Sequence, residues 1–430
     1  MSLFAHLKTS GFTTTAIDGS VNVSYASLIA GAQALREKHH NLKGQSLAIS
    51  PVDIDELVLA ITAFDGWCKA LYMLPDNSLA LPEGVCKWPL DDRPEDSAFV
   101  LTDTTTERDT ATISEQNTRW YLATSGTTGT PKWIVHDFAS LSRAIKTSSH
   151  TQQLRWGLSY QAARFAGLQV VLQSLLSGAL LIDCSSGDIE QRLQQMIHHE
   201  VSALSATPSF FRQLLMTAKL SQLNLKQITL GGEIADQALL DTLSQLFPRA
   251  KIMHIYASTE AGVGFAVADK KAGFPSEWLQ QTRSGLKLKV SDAQHLMIKP
   301  EQQGFLENRV VDSEGYIDTE DLVSIEQDRV VFQGRACGVI NVGGNKVHPE
   351  AVEQVLTQHE DVVLARVYAK TSSVLGQLVA CEIVANTQDT QGLKKKLLAH
   401  CLAKLARYQI PSQFKFVSHL ANQSTGKLSR

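Results

Sequence analysis

The chain has 430 residues and a formal net charge of −3; 43% of it is hydrophobic and 19% charged, an ordinary balance for a globular protein of two or three domains. The near-neutral charge excludes the basic surface that nucleic acid or an anionic membrane requires. Six cysteines, Cys68, Cys86, Cys184, Cys337, Cys381 and Cys401, lie far apart without a Cys-x-x-Cys pair, which argues for free thiols in a reducing compartment and against a metal site or disulfide framework.

In chain order, helix and strand signals alternate from the start. Ser24 opens an amphipathic helix to about Lys38. Ser46–Ser50 is a short buried strand stopped by Pro51, Glu56–Lys69 a second helix, and Ala70–Leu74 a strand stopped by Pro75. Such a β/α rhythm predicts a mostly parallel sheet covered by helices. Trp120–Ala123 is a further strand, and it runs into Thr124, Ser125, Gly126, Thr127, Thr128, Gly129, Thr130, Pro131 and Lys132. Gly126 and Gly129 allow close backbone approach, the hydroxyls donate hydrogen bonds and Lys132 adds a point charge, which together suit a polyphosphate. This is not a Walker A loop: Pro131 precedes the lysine, and Trp133 stands where a magnesium-binding hydroxyl belongs.

The rhythm resumes with a helix over Gly167–Leu176 and a strand over Gly178–Asp183. The segment Phe165–Asp183 is the longest apolar one, but Gln169, Gln173, Ser174 and Ser177 interrupt it, so it falls short of the ~18 apolar residues of a membrane span. Nor does the segment Met1–Lys8 look like a leader; the expectation is a soluble, cytoplasmic enzyme. Ile189–Glu200 reads as helix and Val201–Ser205 as strand. Lys226–Leu230 leads into Gly231, Gly232 and Glu233, and Lys251–Tyr256 into Ala257, Ser258, Thr259 and Glu260. Loops at the carboxyl ends of strands form the ligand crevice of open α/β sheets.

Near Gly334-Arg335 the character changes. Pro349 starts a helix to Gln358, Val362–Tyr368 and Leu378–Val384 are strands, and Leu393, Leu397, Leu398, Cys401, Leu402 and Leu405 form an apolar stripe on a helix. The expected architecture is α/β: a large domain over 1–334 with mostly parallel sheets flanked by helices, and a small α+β domain over 335–430.

The run from Thr124 to Lys132 resembles the phosphate loop of the adenylate-forming superfamily, which includes acyl- and aryl-CoA synthetases, peptide-synthetase adenylation domains and beetle luciferases. Further motifs follow in the family's order. Tyr256-Ala257-Ser258-Thr259-Glu260 is similar to its Tyr-Gly-x-Thr-Glu, with Ala257 for the glycine; Gly231-Gly232-Glu233 is similar to its adenine-edge turn. Tyr316-Ile317-Asp318-Thr319-Glu320-Asp321 resembles Trp/Tyr-x-x-Thr-Gly-Asp, with Glu320 for the glycine, and Gly334-Arg335 resembles the Gly-Arg before the small domain. Ser424–Arg430 resembles the segment that carries the mobile catalytic lysine, here Lys427, and Gly343-Gly344 with Pro349 resembles a pantetheine-facing glycine loop. One departure is clear: the family's acidic hinge is absent, because Arg335 is followed by Ala336, Cys337 and Gly338. Gly338 is expected to supply the torsional freedom.

By this resemblance the chain binds ATP and magnesium, with Glu260 holding the metal, Thr259 a phosphate oxygen, Tyr256 the adenine, Asp321 the ribose and Arg335 ribose or phosphate. Lys427 would bridge the attacking carboxylate and the α-phosphate. The acyl-pocket loop aligns with Tyr160, Arg164, Phe165 and Gly167. Phe165 stands where amino-acid-activating enzymes carry an aspartate, which argues against an α-amino acid. Arg164 suits a second carboxylate or phenolate, and Tyr160, Phe165 and Phe265 a flat apolar pocket. The implied reaction is adenylation of an aryl or short unsaturated carboxylic acid and transfer to the thiol of CoA or of phosphopantetheine on a carrier protein acting in trans. Transfer to an amine, or a degenerate adenylate-binding module, remains open.

Overall fold

The computed structural model describes residues 1–19, 22–50, 52–77, 79–90, 117–124, 132–258, 262–283, 285–300, 311–372 and 376–420. The chain divides into two compact units, Met1–Asp183 and Cys184–Arg430.

The first unit holds two sheets. In one, Cys86–Trp88, Ser46–Ile49, Ala70–Met73 and Arg119–Ala123 run parallel, and Trp133–His136 closes the edge antiparallel. In the other, Arg155–Leu158, Leu180–Asp183 and Thr15–Asp18 run parallel and Asn22–Ser24 returns antiparallel. Ala70–Met73 is buried at every position, as a strand covered on both faces must be. The helix Tyr25–Lys38 starts as its sequence predicts: the Ser24 hydroxyl accepts the Ser27 N–H at 3.1 Å. The next helix, Ile54–Phe64, stops before the expected Lys69. Asp65 leaves the helical path because its carboxylate accepts the Leu3 N–H at 2.7 Å and the Trp120 indole N–H at 2.9 Å.

In the second unit Ala203–Ala206, Gln227–Gly231 and Lys251–Ser258 run parallel, and Gly262–Val267 folds back antiparallel. A five-stranded antiparallel sheet follows, in the order Phe274–Pro275, Arg329–Arg335, Ile317–Glu326, His295–Pro300, Leu286–Val290. Sequence patterning had left most of this sheet unread. The chain then forms the hairpin Ile340–Val342 and Asn345–Val347, the long pair Val362–Ser372 and Gly376–Ala385, and the strand Gln413–Phe416 parallel to the latter. The helices Pro349–Thr357 and Thr390–Lys404 supply Val352, Leu356, Leu393, Leu397 and Cys401 to the core beneath. The architecture is the expected mixed α/β one. Among the described residues no helix is long and apolar enough to cross a membrane.

The permissive glycine at the predicted junction is Gly334, with φ +133°. A side chain there would run into the Glu350 carboxylate. Gly338 lies in the short 3-10 turn Ala336–Gly338 and does not take a positive φ.

Candidate nucleotide and acid sites

In the second unit, three strands bring together Tyr256, Asp321 and Arg335. The Tyr256 ring lies nearly parallel to those of Phe265, at 5.1 Å, and Phe332, at 5.3 Å, a spacing of offset stacking. Its hydroxyl donates to Asp321 Oδ2 at 2.6 Å. Burial, then the neighbouring Asp321 charge and hydrogen bond, hold the phenol well above its ordinary pKa, so it remains a donor. Asp321 pairs in register with Arg335 on the adjacent strand. Arg335 Nε lies 3.7 Å from Asp321 Oδ1, its Nη2 lies 3.5 Å from Glu320 Oε2, and Nη2 donates to the Thr319 carbonyl at 3.3 Å.

The segment before Asp321 is pinned. Thr319 Oγ1 donates to the Leu296 carbonyl at 2.7 Å and accepts the Asp321 N–H at 3.2 Å. Asp318 Oδ1 accepts the Glu320 N–H at 2.7 Å, and Asp318 Oδ2 faces His295 Nδ1 at 2.9 Å. Glu320 adopts φ +58°, the left-handed conformation that glycine takes without strain. The residue that departs from the family's glycine therefore still takes a glycine-like backbone. The links from Thr319 to Leu296 and from Asp318 to His295 are not legible in the sequence, because each joins residues 23 positions apart.

Gly231 ends its strand and Gly232 turns it, with φ +82°. Glu233 Oε2 then accepts the Ser209 N–H at 2.9 Å, at the amino end of the helix Pro208–Met216 that Thr207 caps. A carboxylate suits that positive helix end.

Of the predicted phosphate run, Thr124 and Lys132 fall within the described residues, and Ser125, Gly126, Thr127, Thr128 and Gly129 lie outside them. Thr124 N–H donates to the Lys132 carbonyl at 3.0 Å, and Lys132 N–H donates to Thr124 Oγ1 at 3.3 Å. Thr259, Glu260 and Lys427, with the Ser258 side chain, also lie outside; Ala257 lies on the strand that bears Tyr256. Among the described residues no cluster of three or more His, Cys, Asp or Glu could hold a metal.

In the first unit, Phe165 starts the helix Phe165–Ser177, and its ring centroid is 5.7 Å from that of His136. A side chain on Gly167 would run into the Gln161 carbonyl, so this glycine lets the loop before the helix lie directly on it. Gln161, unnoticed in the sequence, braces that loop: its Oε1 accepts Arg164 Nε–H at 3.0 Å, and its amide donates to the Pro75 carbonyl. Burial draws the Arg164 guanidinium below its ordinary pKa, while Asp76 opposes the shift. Tyr160 is buried. Phe265 belongs to the second unit, where it packs against Tyr256, Phe274 and Trp278 at 3% exposure.

The sequence model of the AMP-binding enzyme family matches residues 56–306, and that of the AMP-binding enzyme C-terminal domain matches residues 351–427. The chain belongs to the AMP-binding enzyme family. Tyr256 falls in the first match of this AMP-binding enzyme, Asp321 and Arg335 between the two, and Lys427 on the last residue of the second. The 2-succinylbenzoate–CoA ligase of Bacillus subtilis (strain 168) is 25% identical, over 95% of this chain and 92% of its own. That of Listeria innocua is 24% identical, over 72% of this chain and 68% of its own. Among solved structures, the anthranilate CoA ligase AuaEII in complex with anthranoyl-AMP superposes with a TM-score of 0.75 at 16% identity, covering 100% of this chain and 95% of that one. The o-succinylbenzoate CoA synthetase MenE from Bacillus subtilis, in complex with its acyl-adenylate intermediate, gives a TM-score of 0.66 at 18% identity, covering 99% and 96%.

Proposed function

We propose that this AMP-binding enzyme converts an aromatic carboxylic acid into its acyl-adenylate and passes the acyl group to a thiol. In the first step a carboxylate oxygen attacks the α-phosphorus of ATP and the bond to pyrophosphate breaks. In the second, sulfur attacks the acyl carbon and AMP leaves with the bonding electrons.

The observation that carries the reading is the joining of Tyr256, Asp321 and Arg335. The Tyr256 hydroxyl, 2.6 Å from Asp321 Oδ2, and Arg335, 3.7 Å from Oδ1, orient a carboxylate that can accept ribose hydroxyls. The half-buried Tyr256 ring supplies an aromatic edge for a base, and Gly231 and Gly232 leave its border bare of side chains. Thr124, with Ser125 to Gly129 and Lys132, would cradle the departing phosphates. Glu260 would hold magnesium, which offsets triphosphate charge, and Thr259 would bond a phosphate oxygen. Lys427 would meet the charge that develops between carboxylate and α-phosphate.

The acid would lie against Tyr160, Phe165 and Gly167. Arg164, braced by Gln161 and partly desolvated, suits a second anionic group on the ring. The 2-succinylbenzoate ligases among the relatives support such an acid, and the CoA ligases support CoA as one acceptor. A carrier protein in trans is the alternative thiol donor. Residues 335–430 would form a small domain that turns about Gly334-Arg335 between the two steps. The free cysteines, Cys68 and Cys381 among them, suit a cytoplasmic setting.

Mass spectrometry of reactions with ATP, magnesium, CoA and a panel of aromatic acids tests this reading. Acyl-AMP and acyl-CoA of an aromatic acid are expected. Amide products with an amine present, and no thioester, would reassign the acceptor.

A further inference from the structure

The helix Thr390–Lys404 is apolar on more than its buried face. Leu393, Leu397 and Cys401 are fully buried in the core with Val352, Leu356, Val367 and Cys381. Leu398 and Leu402, one turn apart, are 43% and 60% exposed. Ala399 and Ala403 are exposed beside them, and Tyr408 stands exposed just beyond the helix. Two of the six residues of the stripe legible in the sequence, Leu398 and Leu402, are therefore not absorbed by the fold. Beyond its Asp389 cap the helix carries charge of one sign: Lys394, Lys395, Lys396, Lys404 and Arg407 lie between Thr390 and Gln409, with no Asp or Glu. Lys396 faces Asp361 at 3.6 Å, and Lys404 donates to Gln358 at 2.7 Å. Lys394, Lys395 and Arg407 are exposed.

We propose that this face docks an acidic, amphipathic helix of a carrier protein whose phosphopantetheine thiol accepts the acyl group. The inference rests on the acid-activating reading above and adds the class of acceptor. Apolar side chains ringed by one sign of charge are the pattern of a specific protein contact, in which the leucines anchor and the lysines steer. A second copy of the chain is a poor occupant, because the face laid on itself sets lysine against lysine. A nucleotide such as CoA would take the cations and leave Leu398 and Leu402 in water. In the transfer, the pantetheine sulfur forms a bond to the acyl carbon, the bond from that carbon to the AMP oxygen breaks, and the thiol proton passes to solvent.

The test uses the full chain, a purified acidic holo-acyl carrier protein and free CoA, with the variants Leu398→Ser/Leu402→Ser and Lys394→Glu/Lys395→Glu. All four side chains are exposed, so unchanged circular dichroism and melting are expected. Acid-dependent pyrophosphate exchange and CoA acylation should stay within about twofold of wild type, while kcat/KM for the carrier falls by about tenfold or more in each variant. Carrier acylation should also fall as salt rises from about 50 to 300 mM, since the steering is electrostatic. Binding of fluorescently labelled apo-carrier reads the docking without chemistry and should weaken in both variants. A carrier that neither binds nor is acylated while CoA is, or variants that lower CoA and carrier transfer alike, would overturn the inference. Loss of exchange in wild type, with carrier binding still sensitive to the variants, would instead count against the acid-activating reading.

Discussion

The Tyr256 phenol donates to Asp321 Oδ2 across 2.6 Å, joining the parallel-sheet strand Lys251–Ser258 to the antiparallel strand Ile317–Glu326. Removing this donor tests its part in nucleotide binding. Tyr256→Phe keeps the ring stack and leaves the carboxylate without one of its partners. Loss of such a charged hydrogen bond costs about 1.5–3 kcal/mol, so KM for ATP should rise by about tenfold or more in the exchange assay. An unchanged KM would separate the pair from nucleotide binding.

Glu320 holds φ +58°, and a left-handed conformation costs a side-chain-bearing residue about 1–2 kcal/mol. Its ion pair with Arg335 is long, at 3.5 Å, and exposed, hence worth little. Glu320→Gly should therefore stabilise the protein, by up to about 1 kcal/mol, and Glu320→Val should destabilise it. Urea denaturation of the two variants checks the sign.

Gly167 faces the Gln161 carbonyl with no room for a methyl group. Gly167→Ala must displace the loop that carries Tyr160 and Arg164, at a cost of about 1–3 kcal/mol. The melting temperature should fall, and KM for the acid should rise more than KM for ATP. Arg164→Lys should raise KM for an acid with a second anionic group and leave a simple aryl acid nearly unaffected.

Asp65 is 1% exposed, and burial pushes its carboxyl up from 3.8 to about 6, against the hydrogen bonds from Leu3 and Trp120 and the Arg36 charge. An acid with a raised pKa binds its proton better in the folded state. Its stabilising contribution is full below about pH 4 and is lost as pH rises through about 6, amounting to about 3 kcal/mol. Asp65→Asn should lack that part of the slope, which denaturation midpoints at pH 4, 5, 6 and 7 would reveal by difference from wild type.

The sequence exposes what depends on neighbours along the chain. The cap at Ser24, the parallel strands that end at Gly231 and Ser258, and the helix started by Pro349 are all set by local residues. The early end of the helix at Phe64 is not, because Asp65 answers to Leu3 and Trp120, both distant in sequence. The antiparallel sheet over 274–335 is hard to read for a similar reason: bulges at Leu322/Val323 and His295/Met297 break the alternation. Periodicity also shows that Leu398 and Leu402 share a stripe with Leu397 and Cys401, but only packing shows which of them the core covers. The chemistry of Asp321 was legible as a motif; the links from Thr319 to Leu296 and from Asp318 to His295 were not.

The most direct test of acid activation is exchange of labelled pyrophosphate into ATP with an aromatic-acid panel, in wild type and Asp321→Ala. Exchange that requires the acid, and that falls by about a hundredfold or more (about 2.7 kcal/mol or more) in the variant, is the predicted result. ATP binding without exchange for any acid, or exchange indifferent to Asp321→Ala, would contradict the account.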